Sequence, residues 1–124
     1  MKSILGATLF LLLFTHCKKD AVADTVSPGV TILSPADGTH IAAGQDITVT
    51  ASVVDDKEIE EVHFHVTNKL TSEELVHEHY HPGGKSYDFS GHLTVQSGIT
   101  YHIEVEAEDK AGNAAEDEIE IIGD

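Results

Sequence analysis

From residue 29 onward, apolar and polar residues alternate with a period of two. Ile47, Val49, Ala51 and Val53 share one parity, with Thr48, Thr50 and Ser52 on the other. Val62, Phe64 and Val66 alternate with His63, His65 and Thr67, and Tyr101, Ile103, Val105 and Ala107 with His102, Glu104, Glu106 and Glu108. Tyr87, Phe89, Leu93 and Val95 keep one parity around Gly91, and Ile119 and Ile121 alternate with Glu118 and Glu120. Such alternation marks strands with one buried face and one solvated face. V-T-I-L at 30–33 and L-V-H-E-H-Y-H at 75–81 add two further strands. Asp37-Gly38, Pro82-Gly83-Gly84, Ser97-Gly98 and Ala111-Gly112-Asn113 supply turns between them. No window carries a convincing helical stripe. The pattern predicts an all-β domain over residues 29–124, seven short antiparallel strands folded as a sandwich.

The first 28 residues break this pattern. Met1-Lys2-Ser3 precedes an eleven-residue apolar run, I-L-G-A-T-L-F-L-L-L-F at 4–14. That run is too short for a stable membrane span and fits the core of a signal peptide over residues 1–16. It ends at T-H-C-K-K-D, which resembles the lipobox of bacterial lipoproteins. The resemblance implies cleavage before Cys17 and lipidation of its thiol. His16 departs from the small residue usual before that Cys. An acylated Cys17 implies a membrane anchor and a place in the bacterial cell envelope, at the outer membrane, with the domain in the periplasm or at the cell surface. Residues 17–28 then read as the lipidated Cys followed by a flexible tether.

The domain itself resembles the bacterial immunoglobulin-like domains. The resemblance rests on S-P-A-D-G-T, then I-T-V-T-A-S-V-V-D-D-K-E-I-E-E-V-H-F-H-V, then Y-H-I-E-V-E-A-E-D-K-A-G-N. It implies an immunoglobulin-like β-sandwich in which E-D-K-A-G-N turns between the last two strands. It also implies an envelope location and a structural Tyr101 at a tyrosine corner. It implies no activity, because sandwich domains serve as spacers, adhesins and binding modules alike.

Composition narrows the partners. The chain has 22 Asp and Glu against 7 Lys, no Arg, and a formal net charge of −15. Removal of residues 1–16 takes one Lys and no acid, so the mature chain is more acidic still. That balance argues against nucleic acid, which needs a basic footprint, and against electrostatic docking on anionic lipid. It suits cations. A single Cys permits no internal disulfide.

The chemistry that remains lies in the nine histidines. By the family pattern, residues 62–67 are strand C and 101–109 strand F, with 119–122 in strand G; the three share one sheet. The short N-K-L-T-S-E-E connection favours a hairpin that places 75–81 beside strand C, as C′, rather than on the other sheet as D. A hairpin centred near Thr71 opposes His65 to His77 and His63 to His79. Opposed residues have Cβ atoms about 4.5–5.5 Å apart, close enough for two imidazoles to share one ion. His63, His65, His77, His79 and His81, with His102 nearby, are therefore candidate ligands for Zn or another divalent transition metal, with Glu104 and Glu106 as supporting carboxylates. One cost is a Glu78 turned toward the core. Two other readings stay open: a pH-sensitive cluster, and a structural or adhesive module with incidental histidines and an envelope protein or glycan partner. Asp55, Asp56, Asp109 and Asn113 fall in loops at one end of the sandwich, where Asx capping is favoured over Ca²⁺ binding. His40 and His92 read as surface residues. No nucleophile with a base, phosphate loop or catalytic carboxylate pair is identifiable, so the expectation is a binding module and not an enzyme.

Overall fold

A computed structural model describes residues 22–124. The expected signal peptide, Cys17 and the first part of the tether lie outside the described residues. Eight strands follow in order: β1 (Gly29–Ser34), β2 (Thr39–Ile41), β3 (Asp46–Val54), β4 (Ile59–Asn68), β5 (Glu74–Tyr80), β6 (Ser86–Thr94), β7 (Thr100–Asp109) and β8 (Ala114–Gly123). They form two sheets, one ordered β1-β3-β6 and one ordered β2-β8-β7-β4-β5. The architecture is the expected immunoglobulin-like sandwich, and β4, β7 and β8 take the places of strands C, F and G.

The strand count corrects the expectation of seven antiparallel strands. The additional strand, β2, pairs with β8 in parallel. At three residues, T-H-I is too short to display a period of two. Contacts from the other end of the chain hold it instead. Gly38 N donates to Glu120 O at 2.7 Å, and Glu120 N donates to Asp37 Oδ1 at 2.7 Å.

The core fills the space between the sheets. Val49, Ala51 and Val53 from β3 and Phe89 from β6 meet Val62, Phe64 and Val66 from β4 and Tyr101, Ile103, Val105 and Ala107 from β7. Every parity assigned on β4 and β7 holds: the apolar set is buried and the polar set is only partly covered. Phe64 and Phe89 face each other across the sandwich with ring centroids 5.0 Å apart. Deleting a ring of that kind costs about 3–5 kcal/mol. At the rim, Gln96 N donates to the buried Tyr101 hydroxyl at 2.8 Å, tying the approach to β7 to its first core residue.

The β4–β5 hairpin decides where the histidines go. Asn68 Oδ1 accepts from Leu70 N at 3.0 Å, and Ser72 N donates to Asn68 O at 2.8 Å. Ser72 takes a φ of 60°. These local bonds close a tight turn directly after β4, so β5 returns along the same sheet. β5 is the C′ strand, not D. A bulge shifts the register between Val66 and Thr67, because Val66 opposes Val76 while Thr67 opposes Glu74. Leu75 is the extra residue.

Candidate metal centre

The hairpin register sets His63 opposite His79 and His65 opposite His77. All four side chains stand on the outer face of the larger sheet, because their strand neighbours Val62, Phe64 and Val66 are buried on the inner face. The rings crowd together. Centroids lie 4.2 Å apart for His63 and His79, 4.1 Å for His65 and His77, 4.4 Å for His77 and His79, and 5.9 Å for His63 and His65.

Two overlapping donor sets result. One ligand atom each from His63, His65 and His77 lies within 4.8 Å of the other two, and the same holds for Glu61, His63 and His79. His63 belongs to both and is the least exposed of the rings, at 19% against 67% for His81. A tetrahedral ion with Zn–N of 2.0–2.1 Å separates its donors by about 3.3 Å. Reaching that from 4.8 Å or less needs side-chain torsion at an exposed face, not backbone movement.

Two carboxylates brace the rings. Glu61 lies 2.9 Å from His79 Nδ1 and 3.2 Å from His63 Nε2. Glu74 lies 3.2 Å from His77 Nδ1 and 3.8 Å from His65 Nδ1. The three contacts of 3.2 Å or less each occupy one ring nitrogen and leave the other for a ligand, the arrangement by which carboxylates orient metal-binding imidazoles; the one to His65 is too long for a hydrogen bond. The hydrogen bond from His79, then that from His63, holds the Glu61 carboxyl below its ordinary range. On the adjacent strand, burial and then Glu116 push Glu104 up, partly offset by His65. Glu61 and Glu74 were not singled out by sequence. Glu61 shares the outward parity of His63, which is a usable signal. Glu74 reaches the rings only because of the bulge.

The other two candidate histidines sit apart from the four rings. His81 follows the end of β5, its Nδ1 3.2 Å from Glu60 O and its Nε2 3.9 Å from Glu61. His102, on β7, opposes Thr67 of β4, and its Nε2 lies 3.4 Å from Glu118. It forms a separate donor set with Glu104 and Glu118. Glu78 faces Phe64 in register but stays exposed at the sheet edge, where the Tyr80 hydroxyl donates to it.

Fold and face together define a class: an immunoglobulin-like sandwich with clustered imidazoles on the outer face of its larger sheet. The chain belongs to the bacterial Ig domain family, whose model matches residues 28–105. The match ends within β7, so the A-G-N turn and β8 lie beyond it. No curated protein matches the chain. Among solved structures, fibronectin(III)-like modules of CbhA from Clostridium thermocellum align at 23% identity with a TM-score of 0.53, over 79% of this chain and 47% of that one. The chain thus spans about half the length of that structure. Two structures of superoxide reductase (neelaredoxin) from Ignicoccus hospitalis align at 16% and 14% identity with TM-scores of 0.59 and 0.57. They cover 79% and 80% of this chain and 80% and 81% of theirs. At such identities the likeness is one of fold alone.

Proposed function

We propose that the protein is a cell-envelope binding module that takes a divalent transition metal on the β4–β5 face. The observation that carries this reading is the convergence of His63, His65, His77 and His79, with Glu61, into two donor sets sharing His63. Imidazole nitrogen suits Zn, Cu and Ni, and hard ions do not choose it. The strongly acidic chain concentrates cations around the face. Binding rather than catalysis fits a site on an open sheet surface and a family of Ig modules. Bacterial Ig domains are typically extracellular or envelope-associated. A lipid anchor on Cys17 belongs to the same proposal, and incorporation of labelled palmitate that Cys17→Ser abolishes would support it.

The family favours a second reading, an adhesive or structural module whose histidines bind nothing. Calorimetric titration with Zn²⁺, Cu²⁺ and Ni²⁺ separates the two. Metal binding is expected to weaken at least about tenfold when His63 is changed to Ala, because both donor sets lose a member. His102→Ala is expected to leave it unchanged. Heat no greater than that of the His63→Ala, His77→Ala double variant would leave the adhesive reading standing. Acidification is expected to weaken binding, because a ligating imidazole must be neutral.

A further inference from the structure

The opposite chemistry gathers at one end of the sandwich. Asp55 follows β3, Asp109 closes β7, and Asp24 lies in the segment that leads into β1. One carboxylate oxygen from each lies within 4.8 Å of the other two. Asp55 and Asp109 are buried, at 9% and 1% exposure. None of the ion pairs among the described residues involves any of the three.

Loop capping accounts for part of this. Asp55 Oδ2 accepts from Lys57 N and Glu58 N, both at 2.8 Å. Asp109 Oδ1 accepts from Ala111 N at 2.8 Å and Asn113 N at 2.9 Å, and Oδ2 accepts from Asn113 Nδ2 at 2.7 Å. Capping does not account for Asp55 Oδ1. That oxygen is buried and has no hydrogen-bond partner among the described residues. A buried carboxylate oxygen without a donor, in a residue grouped with two further carboxylates, calls for a partner that a cation supplies better than a neutral donor.

We propose that Asp24, Asp55 and Asp109 form a Ca²⁺ site that fastens the segment entering the domain to the ends of β3 and β7. Ca²⁺ takes oxygen ligands at 2.3–2.6 Å, so two oxygens on one ion lie at most about 5 Å apart. The three oxygens all lie within 4.8 Å of one another, inside that limit without backbone movement. Mg²⁺ demands near-ideal octahedral geometry and keeps several of its waters, so it suits a three-carboxylate protein set less well. Transition metals prefer the imidazole face, so the two sites select different ions. Asn113 already holds the entering segment in place, its Nδ2 donating to Asp24 O at 3.0 Å. Burial raises the Asp109 carboxyl, but the hydrogen bonds from Asn113, Ala111 and Gly112 outweigh it and keep the group below its ordinary range. Asp109 therefore presents a charged carboxylate to the ion.

The test is a thermal melt of the protein produced from its full chain, stripped of metal and then given Ca²⁺. With Kd of about 0.1–1 mM, as for extracellular Ca²⁺ modules, 10 mM Ca²⁺ is expected to raise Tm by roughly 5–20 °C. KCl at matched ionic strength controls for screening of the acidic chain and is expected to give a smaller shift. Asp55→Asn keeps an oxygen for Lys57 N and Glu58 N, so it is expected to fold and to lose most of the Ca²⁺ response. Asp24→Asn lies outside both sheets; it is expected to leave the Ca²⁺-free Tm unchanged and weaken Ca²⁺ binding about tenfold. A Ca²⁺ shift no larger than that of KCl, or one of equal size in both variants, overturns the proposal.

Discussion

Glu78 and Tyr80 show how one pair of side chains reconciles a charge with an apolar parity. Alternation turns Glu78 to the face that carries Val76 and Tyr80. At the edge of the sheet it stays exposed, and an edge charge there also discourages strand addition. The Tyr80 hydroxyl donates to its carboxylate, and Tyr80 packs on Phe89 with centroids 5.5 Å apart. That hydrogen bond, and secondarily burial, push the Tyr80 phenol from 10.0 up to about 12. The folded state therefore favours the protonated phenol. Its contribution to stability is complete below pH 10 and is lost as pH rises from about 10 to about 12. Absorbance titration of tyrosinate is expected to show one phenol titrating near 12, and Tyr80→Phe to remove that step. Glu78→Gln is expected to move it down. A step near 12 that persists in Tyr80→Phe would assign the shift elsewhere.

At the scale of elements, two features make the site-bearing sheet possible. The first is room. Gly91 on β6 lies over the core aromatics, and a Cβ there would stand 2.7 Å from Phe64 Cε1 and 2.7 Å from Phe89 Cζ. Both rings are buried in the core, so Gly91→Ala is expected to destabilise by roughly 1–3 kcal/mol, seen as a lower urea midpoint with unchanged m. A wild-type midpoint in that variant would mean that the Phe64–Phe89 contact is looser than the distances say. The second feature is the hairpin. Its register was legible because a short polar loop favours return beside β4 over a crossing to the other sheet, and the parity of β4 was already fixed by Val62, Phe64 and Val66. The bulge at Leu75 was not legible. It depends on how the turn closes, and it is what brings Glu74 to His65 and His77.

Across the whole molecule, negative charge prevails. A formal net charge of −15 sits on a 13.3 kDa chain whose larger sheet carries Glu104 opposite Glu118 and Glu106 opposite Glu116. Like charges placed directly across a ladder oppose folding. Raising KCl from 0.01 to 0.1 M shortens the screening length from about 30 Å to about 10 Å, so Tm is expected to rise across that range. A salt-independent Tm would show that neighbouring cations already compensate the acidic ladder. The same field draws cations toward both candidate sites, and the sites then sort them by donor chemistry.

The sequence by itself determined the sandwich, the core parity and the face on which His63, His65, His77 and His79 meet. Each follows from a period of two and from a short loop that favours a hairpin, both properties of neighbouring residues, and the bonds within the turn decided for the hairpin. Tertiary structure alone decided the rest. It paired the three-residue β2 in parallel with β8, because contacts some eighty residues away hold that segment. It placed His102 with Glu118 and His81 beyond the end of β5, since strand spacing and strand ends come from packing. It also brought Asp24 to Asp55 and Asp109, residues remote in sequence that the closing of the two sheets sets at one end of the fold.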